Sequence, residues 1–218
     1  MKQICVIGLG SFGSHLAVTL ARQGCEVLAI DNREEHVARI RDRVHHALIL
    51  DARDFSALKL AIPPTIDGVV VSLGGDLAAS ILCALHLKNL GVKSIRSKAA
   101  NDEHAQILKA IGVETVFFPE RETAERMAMR IMRPNLLEFF PLGEEYEVLE
   151  VGAPPSFLGK SLADMQIRNR YRALVIAIRN PRRQQMTFMP PADYLFLEGD
   201  ELIVMGKEPD LRSLSRQS

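Results

Sequence analysis

The sequence predicts an α/β protein with a Rossmann-like, doubly wound parallel sheet, a crossover helix and a second, smaller α+β domain. Three observations support this prediction. Short apolar segments without polar alternation recur through the first half of the chain, and each is followed by a helical pattern. A G-x-G-x-x-G motif follows the first of these segments. From residue 144 onward, short strand patterns separated by turn residues replace the strand–helix alternation.

The glycine motif follows residues 4–7, an apolar segment typical of a strand that is buried on both faces. Gly8 is expected to allow a tight turn, Gly10 to let the backbone approach a phosphate pair, and Gly13 to let the next helix lie close to the sheet. Ser11 and Phe12 lie inside the motif and complete the predicted phosphate-binding loop.

A second apolar segment, residues 27–30, ends at Asp31, whose carboxylate could accept hydrogen bonds from ribose hydroxyls. The order of strand, glycine motif, helix, strand and acid favours a domain that binds an adenine nucleotide. The alternative is a Rossmann domain whose site is empty or rebuilt. The charge of Asp31 disfavours a 2′-phosphate, and therefore NADP, although Arg33 nearby weakens this preference.

The composition limits the possible functions. Basic and acidic residues number 27 each, so no overall field attracts nucleic acid or an anionic membrane. Apolar residues make up 47% of the 218 residues, enough for a substantial core. No apolar segment approaches the roughly 20 residues that cross a bilayer, and no signal-peptide pattern begins the chain. We expect a cytoplasmic protein without direct membrane insertion and without nucleic-acid binding.

The cysteines and histidines do not suggest a metal centre. Cys5, Cys25 and Cys83 are widely spaced, which favours free thiols over redox or metal roles. His45 and His46 are adjacent on a predicted strand and therefore point to opposite faces. We expect no zinc site.

The alternation of strands and helices continues to residue 118. Further strands are predicted at residues 47–50, 69–73, 94–98 and 115–118, and helices at residues 34–44, 55–60, 77–90 and 102–111. Asp76 is predicted to cap the helix at 77–90. A doubly wound sheet binds its ligand beyond the carboxyl ends of the strands. The candidate residues there, besides the glycine motif, are Asp31, Asn32, Asp51, Ala52, Leu73, Gly74 and Lys98.

Two of these candidates have alternative explanations. Asp51 is equally consistent with a cap for the following helix and with a contact to adenine. Lys98, which we expect to be the only cation at a strand end on this edge, either reaches a phosphate or is a solvated lysine.

A helix with an apolar stripe at Ala124, Met127, Ala128 and Ile131 is predicted from residue 120 to Pro134. The apolar doublets 136–137 and 139–140 follow, and we expect them to lie outside any sheet and to need a partner surface in the second domain or another subunit. The domain assignment is therefore 1–118 for the nucleotide-binding domain, 119–143 for the crossover helix and linker, and 144–218 for the second domain.

The second domain is expected to contain strands at residues 145–153, 174–178, 186–189 and 201–205, with a short helix at 157–164. It contains no G-x-S-x-G motif, no paired carboxylates in a recognisable setting and no nucleophile beside a histidine. These features favour a small sensory or dimerising module and predict no enzymatic activity.

The whole chain resembles the cytosolic RCK proteins that regulate bacterial potassium uptake, the TrkA and KtrA family. The resemblance rests on GLGSFG, EVLAID and PERET in the first domain and on FLGKSLADMQIRNRY, LVIAI and EGDELIVMG in the second. It implies that the first domain binds ATP, ADP or NAD(H) and that dimers assemble into a ring. It further implies that this ring, at the inner face of the cell membrane, gates a potassium channel subunit of the TrkH/KtrB type.

The resemblance also implies roles for individual residues. It places Gly8, Gly10 and Gly13 at the phosphates, Asp31 at the ribose, Asp51 and Ala52 near the adenine and Lys98 at the phosphate edge. Glu120 matches a glutamate that helps to hold a divalent cation, Mg²⁺ or Ca²⁺, at a subunit junction; stabilisation of its own helix dipole is the alternative. Arg168, Arg170 and Arg172 match a region where some relatives bind cyclic di-AMP, although a polar loop of solvated arginines is the simpler interpretation.

One residue departs from the family pattern. Ser11 stands where KtrA-like members carry an arginine that contacts the terminal phosphate, and a hydroxyl offers one neutral hydrogen bond instead of a bidentate charged contact. This substitution favours NAD(H), ADP or AMP. The alternatives are a small NAD-dependent oxidoreductase, for which Tyr171 and His104 are the only acid–base candidates, and an RCK regulator of another cation transporter.

Overall fold

The computed structural model describes residues 1–132, 136–143 and 145–215. The chain forms two compact units, Met1–Glu122 and Thr123–Ser218. No helix in the described parts of the chain combines the length and the apolar character that a bilayer span requires.

The first unit contains a six-stranded parallel sheet in the order β3-β2-β1-β4-β5-β6. Its strands are β1 (Gln3–Ile7), β2 (Glu26–Asp31), β3 (His46–Ile49), β4 (Gly68–Val71), β5 (Ile95–Lys98) and β6 (Thr115–Phe117). The order reverses direction at β1, where β2 lies on one side and β4 on the other. This arrangement confirms the predicted doubly wound sheet, and a cleft is expected at the reversal point.

Helices cover both faces of this sheet. They are α1 (Ser11–Arg22), α2 (Glu34–Ala38), α3 (Phe55–Ala61), α4 (Leu77–Asn89) and α5 (Asp102–Ile111). Helix α6 (Pro119–Met132) follows β6 and has no buried residue. The side chains of β1 explain why its sequence is apolar throughout. Cys5 and Ile7 belong to the core on one face, and Ile4 and Val6 belong to the core on the other.

The second unit contains a five-stranded antiparallel sheet in the order β10-β9-β11-β8-β7. Its strands are β7 (Leu136–Leu142), β8 (Tyr146–Gly152), β9 (Leu174–Asn180), β10 (Gln185–Phe188) and β11 (Glu201–Lys207), and its helices are α7 (Leu162–Met165), α8 (Ile167–Tyr171) and α9 (Glu208–Ser215). Alternate residues of the central strands, such as Leu149 and Val151 of β8 and Leu202 and Val204 of β11, form the core of this unit.

The prediction that the apolar doublets lie outside any sheet is wrong. They belong to β7, an edge strand that pairs with β8, so that Phe140 is opposite Val148. The register shifts between Leu136 and Glu138, which interrupts the strict alternation of a strand. Phe140 is 61% exposed. The apolar stripe of α6 is also exposed, although Met129 on the same helix packs against the core of the second unit.

Three other local predictions need correction, and one helix was missed. The helix predicted at 157–164 is a 3-10 turn, Pro155–Phe157, followed by the separate helix α7, which begins with a capping box between Ser161 and Asp164. The helix predicted at 34–44 ends at Ala38. Helix α9 was not predicted. The segment with Arg168 and Arg170 is a helix, α8, and not a loop.

Candidate nucleotide-binding site

A cleft of about 460 Å³ opens at the carboxyl ends of the strands in the first unit. The sequence-predicted residues that line it are Gly8, Gly10, Ser11, Phe12, Asp31, Asn32, Asp51, Ala52, Leu73, Gly74, Lys98 and Glu120. The structure therefore brings together residues that end or follow five of the six strands, β1 to β5, and a residue at the start of α6. Gly13 is the one member of the predicted set that does not line the cleft.

Three glycines shape the loop between β1 and α1. Gly8 has φ +92°, and a Cβ there would lie 2.6 Å from the carbonyl oxygen of Ser72. A Cβ on Gly13 would lie 1.8 Å from the carbonyl oxygen of Gly8, so that only glycine lets α1 start this close to the loop. Gly10 has open space around its Cβ position and lines the cleft. The backbone at Gly10 is thus accessible to a ligand.

Asp31, at the end of β2, holds this loop in place. Its Oδ2 accepts a hydrogen bond from the backbone amide of Leu9 at 2.6 Å, and its Oδ1 accepts one from the amide of Arg33 at 2.9 Å. The Nδ1 of His36 lies 3.1 Å from Oδ2. Both Asp31 and His36 are buried. The contact of Asp31 with a ribose remains a prediction; the structure shows that Asp31 organises the glycine loop.

The protonation of Asp31 reflects these contacts. Burial acts to raise its pKa, but the hydrogen bonds from the amides of Leu9 and Arg33 and from His36 together lower the pKa below the usual aspartate value. The carboxylate is therefore charged at neutral pH. It still lines the cleft, and Oδ1 has a second lone pair that a ribose hydroxyl can use.

Asp51 forms an ion pair with Arg53, two residues later in the chain. Its Oδ1 accepts hydrogen bonds from the backbone amide and Nε of Arg53 at 2.9 and 3.0 Å, and its Oδ2 accepts one from Nη2 at 2.6 Å. This contact with Arg53 lowers the pKa of Asp51. The alternative that Asp51 caps the following helix is wrong, because Asp54 caps α3 through the amides of Ser56 and Ala57.

Lys98, at the end of β5, forms an ion pair with Glu120 in the first turn of α6. The side chain of Lys98 is 17% exposed, which contradicts the alternative of a solvated lysine. The hydrogen bond from Lys98 lowers the pKa of Glu120. The Lys98 ammonium is therefore neutralised by a carboxylate that is itself largely exposed.

The expectation that Lys98 is the only cation at this edge is wrong. Arg33 and Arg53 also line the cleft. Arg53 was missed as a site residue, although its position two residues after a strand-end aspartate repeats the relation of Arg33 to Asp31.

The geometry is compatible with a nucleotide. The glycine loop presents accessible backbone at the start of the twelve-residue helix α1, whose N-terminus attracts anions. Asp31 lies at the end of the neighbouring strand, in the position from which Rossmann domains contact ribose. The residues that line the cleft include no histidine, tyrosine or cysteine.

The acid–base candidates of the oxidoreductase alternative lie outside the cleft. His104 is buried on α5, its Nε2 has no hydrogen-bond partner, and burial lowers its pKa. Tyr171 is buried in the core of the second unit. Neither residue lines the cleft.

Within the described parts of the chain, no group of three or more histidine, cysteine, aspartate or glutamate residues could hold a metal ion. Glu120 alone, paired with Lys98, does not fit a cation site within one chain. The three cysteines are free; Cys5 and Cys83 are buried and Cys25 is half-buried.

The second-domain arginines lie on and beside α8. Arg168 and Arg170 belong to the helix, and Arg172 is its C-terminal cap residue with φ +46°. All three side chains are exposed. Ile167 and Tyr171 of the same segment face the core.

Comparison with known proteins gives two family matches. The model of the TrkA-N domain matches residues 4–119, and the model of the TrkA-C domain matches residues 146–217. The Ktr system potassium uptake protein C of Bacillus subtilis (strain 168) is 36% identical over 216 residues, which cover 99% of this chain and 97% of the relative. The Ktr system potassium uptake protein A of the same organism is 31% identical over 216 residues, which cover 99% of this chain and 96% of the relative.

Solved structures agree on the fold. The GsuK RCK domain has a TM-score of 0.56 at 22% identity and covers 99% of this chain; this chain spans 46% of that one. The GsuK channel bound to NAD has a TM-score of 0.53 at 22% identity, with coverage of 100% of this chain and 38% of that one. With its TrkA-N and TrkA-C domains and its near full-length similarity to Ktr proteins, this chain belongs to the TrkA/KtrA family of RCK proteins.

Proposed function

We propose that this protein is the nucleotide-binding regulatory subunit of a potassium uptake system and has no enzymatic activity. The observation that carries the proposal is the cleft organised by Asp31 and the glycine loop, in a chain that aligns almost end to end with Ktr potassium uptake proteins. Its partner is a membrane potassium channel subunit of the TrkH/KtrB type. The protein works at the cytoplasmic face of the membrane through this partner.

The ligand we propose is ADP or NAD(H) in preference to ATP. Gly10, Ser11 and Phe12 would hold the phosphates, and Asp31 would accept a ribose hydroxyl. Ser11 supplies no positive charge, and Lys98 is already paired with Glu120. The other two cations of the cleft, Arg33 and Arg53, face Asp31 and Asp51, so the net positive charge available for a γ-phosphate is small. Structures of the related GsuK bound to NAD and to ADP support both ligand classes.

The mechanism is a ligand-operated gate without covalent chemistry. In this proposal, dimers form a ring, and each bound nucleotide favours the ring shape for which it has the higher affinity. A difference in affinity equivalent to about 1–3 kcal/mol is typical of such coupling. The ion pair between Lys98 and Glu120 joins the cleft to the first turn of α6, which gives the nucleotide a contact with the crossover helix.

Two further sites remain predictions. Glu120 would hold Mg²⁺ or Ca²⁺ only together with ligands from another subunit, and its contact with Lys98 would then have to break. Arg168, Arg170 and Arg172 are exposed and could bind the phosphates of cyclic di-AMP. Titration of cyclic di-AMP into wild type and an Arg168→Ala/Arg170→Ala variant tests the second site.

The functional test is potassium flux in vesicles that contain the membrane subunit and this protein. We expect flux to differ between saturating ADP, NAD⁺, NADH and ATP, and the nucleotides to be recovered unchanged. An Asp31→Asn variant should need higher nucleotide concentrations for the same effect. Flux that is the same with every nucleotide, or chemical conversion of any of them, would contradict the proposal. Nucleotide-dependent flux of a cation other than potassium would instead indicate a regulator of another transporter.

A further inference from the structure

Two adjacent strands of the first unit end in the same local structure. Asp31 is the last residue of β2 and is followed by Asn32 and Arg33, whereas Asp51-Ala52-Arg53 begins two residues after the end of β3, the parallel neighbour of β2. In both segments, Oδ1 of the aspartate accepts a hydrogen bond from the amide two residues later at 2.9 Å. Both arginines line the nucleotide cleft. The chain thus places two aspartate–arginine turns next to each other at one end of the cleft.

The two guanidinium groups are held very differently. The Nε of Arg33 lies 3.8 Å from Oδ1 of Asp31, whose other oxygen holds the glycine loop, and its Nη2 lies 3.0 Å from Nδ1 of His36. Arg53 forms a two-point (fork) contact with the carboxylate of Asp51: its Nε donates to Oδ1 at 3.0 Å and its Nη2 donates to Oδ2 at 2.6 Å. The carbonyl oxygen of Arg53 also accepts a hydrogen bond from Nε2 of His86 on α4, at 3.1 Å. Arg53 is therefore oriented by both its backbone and its side chain.

The order of the strands fixes what Arg53 can reach. Phosphates belong at the glycine loop after β1, and ribose belongs at Asp31 after β2. The next strand outward is β3, so a base attached to that ribose extends toward Asp51, Ala52 and Arg53. This step rests on the proposed function, because it assumes a nucleotide in the cleft.

The surroundings favour contact with the face of a base. Leu50 and Ala52 supply apolar surface in the same part of the cleft, and Arg53 is 53% exposed, which leaves its planar group accessible. Its charge is balanced by Asp51, so attraction for phosphate is weakened while the flat surface is kept. Asp51 has little capacity left for a base, because its oxygens already accept from Arg53.

We propose that Arg53 is a specificity-determining residue that stacks on a purine base in the cleft, and that Asp51 is the positioning residue that orients it. The larger face of a purine would gain more from this contact than the single ring of a pyrimidine. Arg53 thereby sets a preference for purine over pyrimidine nucleotides of equal charge.

The test compares the affinities for ADP and UDP, which carry identical phosphates. Calorimetry gives the ratio of the two dissociation constants for wild type, Arg53→Lys and Arg53→Ala. The control is Arg22→Lys, because Arg22 is an exposed arginine in the last turn of α1. We expect both Arg53 variants to lower the preference for ADP by about fivefold, because lysine keeps the charge but lacks the plane. The NMR signal of Arg53 Nε–Hε should shift on addition of ADP more than of UDP.

A double-mutant cycle tests the role of Asp51. Introduced alone, Asp51→Ala should lower the preference for ADP; introduced into the Arg53→Ala variant, it should cause no further change in that preference. Asp51→Asn should keep part of the preference because it retains one acceptor. The inference is overturned if ADP and UDP weaken equally in the Arg53 variants, if wild type has no preference, or if the two alanine substitutions act additively. Wild type that binds none of ADP, NAD⁺ and NADH would instead refute the proposed function.

Discussion

The carboxylate of Asp31 and the backbone amide of Leu9 are joined by a buried hydrogen bond of 2.6 Å. This bond connects the end of β2 to the loop between β1 and α1, so one side chain fixes two parts of the proposed nucleotide site.

Asp31→Asn should weaken both the fold and ligand binding. One amide donor, at Leu9 or at Arg33, then faces an NH₂ group, and an unsatisfied buried donor costs about 1–3 kcal/mol. We expect unfolding at lower urea concentration and at least a tenfold loss of affinity for ADP or NAD⁺. Asp67→Asn is the matched control, because Asp67 accepts from the amide of Gln3 in an exposed position outside the cleft. Equal effects of both substitutions would show that the Asp31 contact has no special importance.

The contribution of Asp31 should depend on pH in one direction. Its pKa is lower in the folded chain than the ordinary value of about 3.9, so its stabilisation is complete above that value and is lost as the pH falls through the lower folded pKa. The difference in urea midpoint between wild type and Asp31→Asn should be largest near pH 6 and should shrink below about pH 4. A difference that grows in acid would contradict the assigned direction.

Gly13→Ala and Gly10→Ala should separate folding from binding. A methyl group on Gly13 meets the carbonyl oxygen of Gly8 at 1.8 Å, and backbone cannot yield easily, so we expect a strong loss of stability. A methyl group on Gly10 meets nothing within 4 Å, so we expect nearly unchanged thermal stability but weaker nucleotide binding. If Gly10→Ala binds ADP and NAD⁺ as wild type does, the ligand does not approach the backbone at this residue.

The thiols should differ in reactivity. Burial raises the pKa of Cys83 to about 12, and burial together with the neighbouring Cys83 also raises the pKa of Cys5. Cys25 is half-buried. A thiol reagent at pH 8 should therefore modify Cys25 in the native protein and all three cysteines in urea. The variant Cys25→Ser should be unreactive until it unfolds; rapid native labelling of this variant would contradict the assignment of Cys5 and Cys83 to the core.

Asp200→Ala should destabilise the second unit without abolishing nucleotide binding. Asp200 is buried and accepts hydrogen bonds from Asn180, from Tyr194 and from the amide of Leu197 at 2.7, 3.0 and 2.8 Å. Its removal leaves several donors unpaired, which costs about 3 kcal/mol or more. Hydrogen exchange should increase at residues 174–207, whereas ADP affinity should change little. Tyr194→Phe, which removes one donor, is the milder control.

The parallel sheet of the first unit could be predicted from the sequence because buried strands are apolar on both faces. Residues 4–7 and 69–71 are continuous apolar segments. Asp76 caps the N-terminus of α4, and Gly112 is the C-terminal cap residue of α5. These signals are local, so they can be recognised without knowledge of the tertiary structure.

The error at β7 arose where tertiary contacts decide the structure. The doublets around Phe140 lack the alternation of a strand because β7 is an edge strand with an irregular register. The error at residues 157–164 was avoidable, because the capping box between Ser161 and Asp164 is a local signal for the start of a new helix. In the site, the type and position of Asp31 were predictable, but its bond to Leu9 depends on the path of the loop and could not be predicted. The fork between Asp51 and Arg53 is local, and the repeated D-x-R spacing could have indicated it.

The most direct test of the account is a calorimetric titration of the purified protein with ATP, ADP, AMP, NAD⁺ and NADH, each with and without Mg²⁺, followed by chromatography of the recovered ligand. We predict saturable binding of ADP or NAD(H), weaker binding of ATP, and ligands that are chemically unchanged. Absence of binding by all five nucleotides would contradict the central claim that the cleft held together by Asp31 is a nucleotide site.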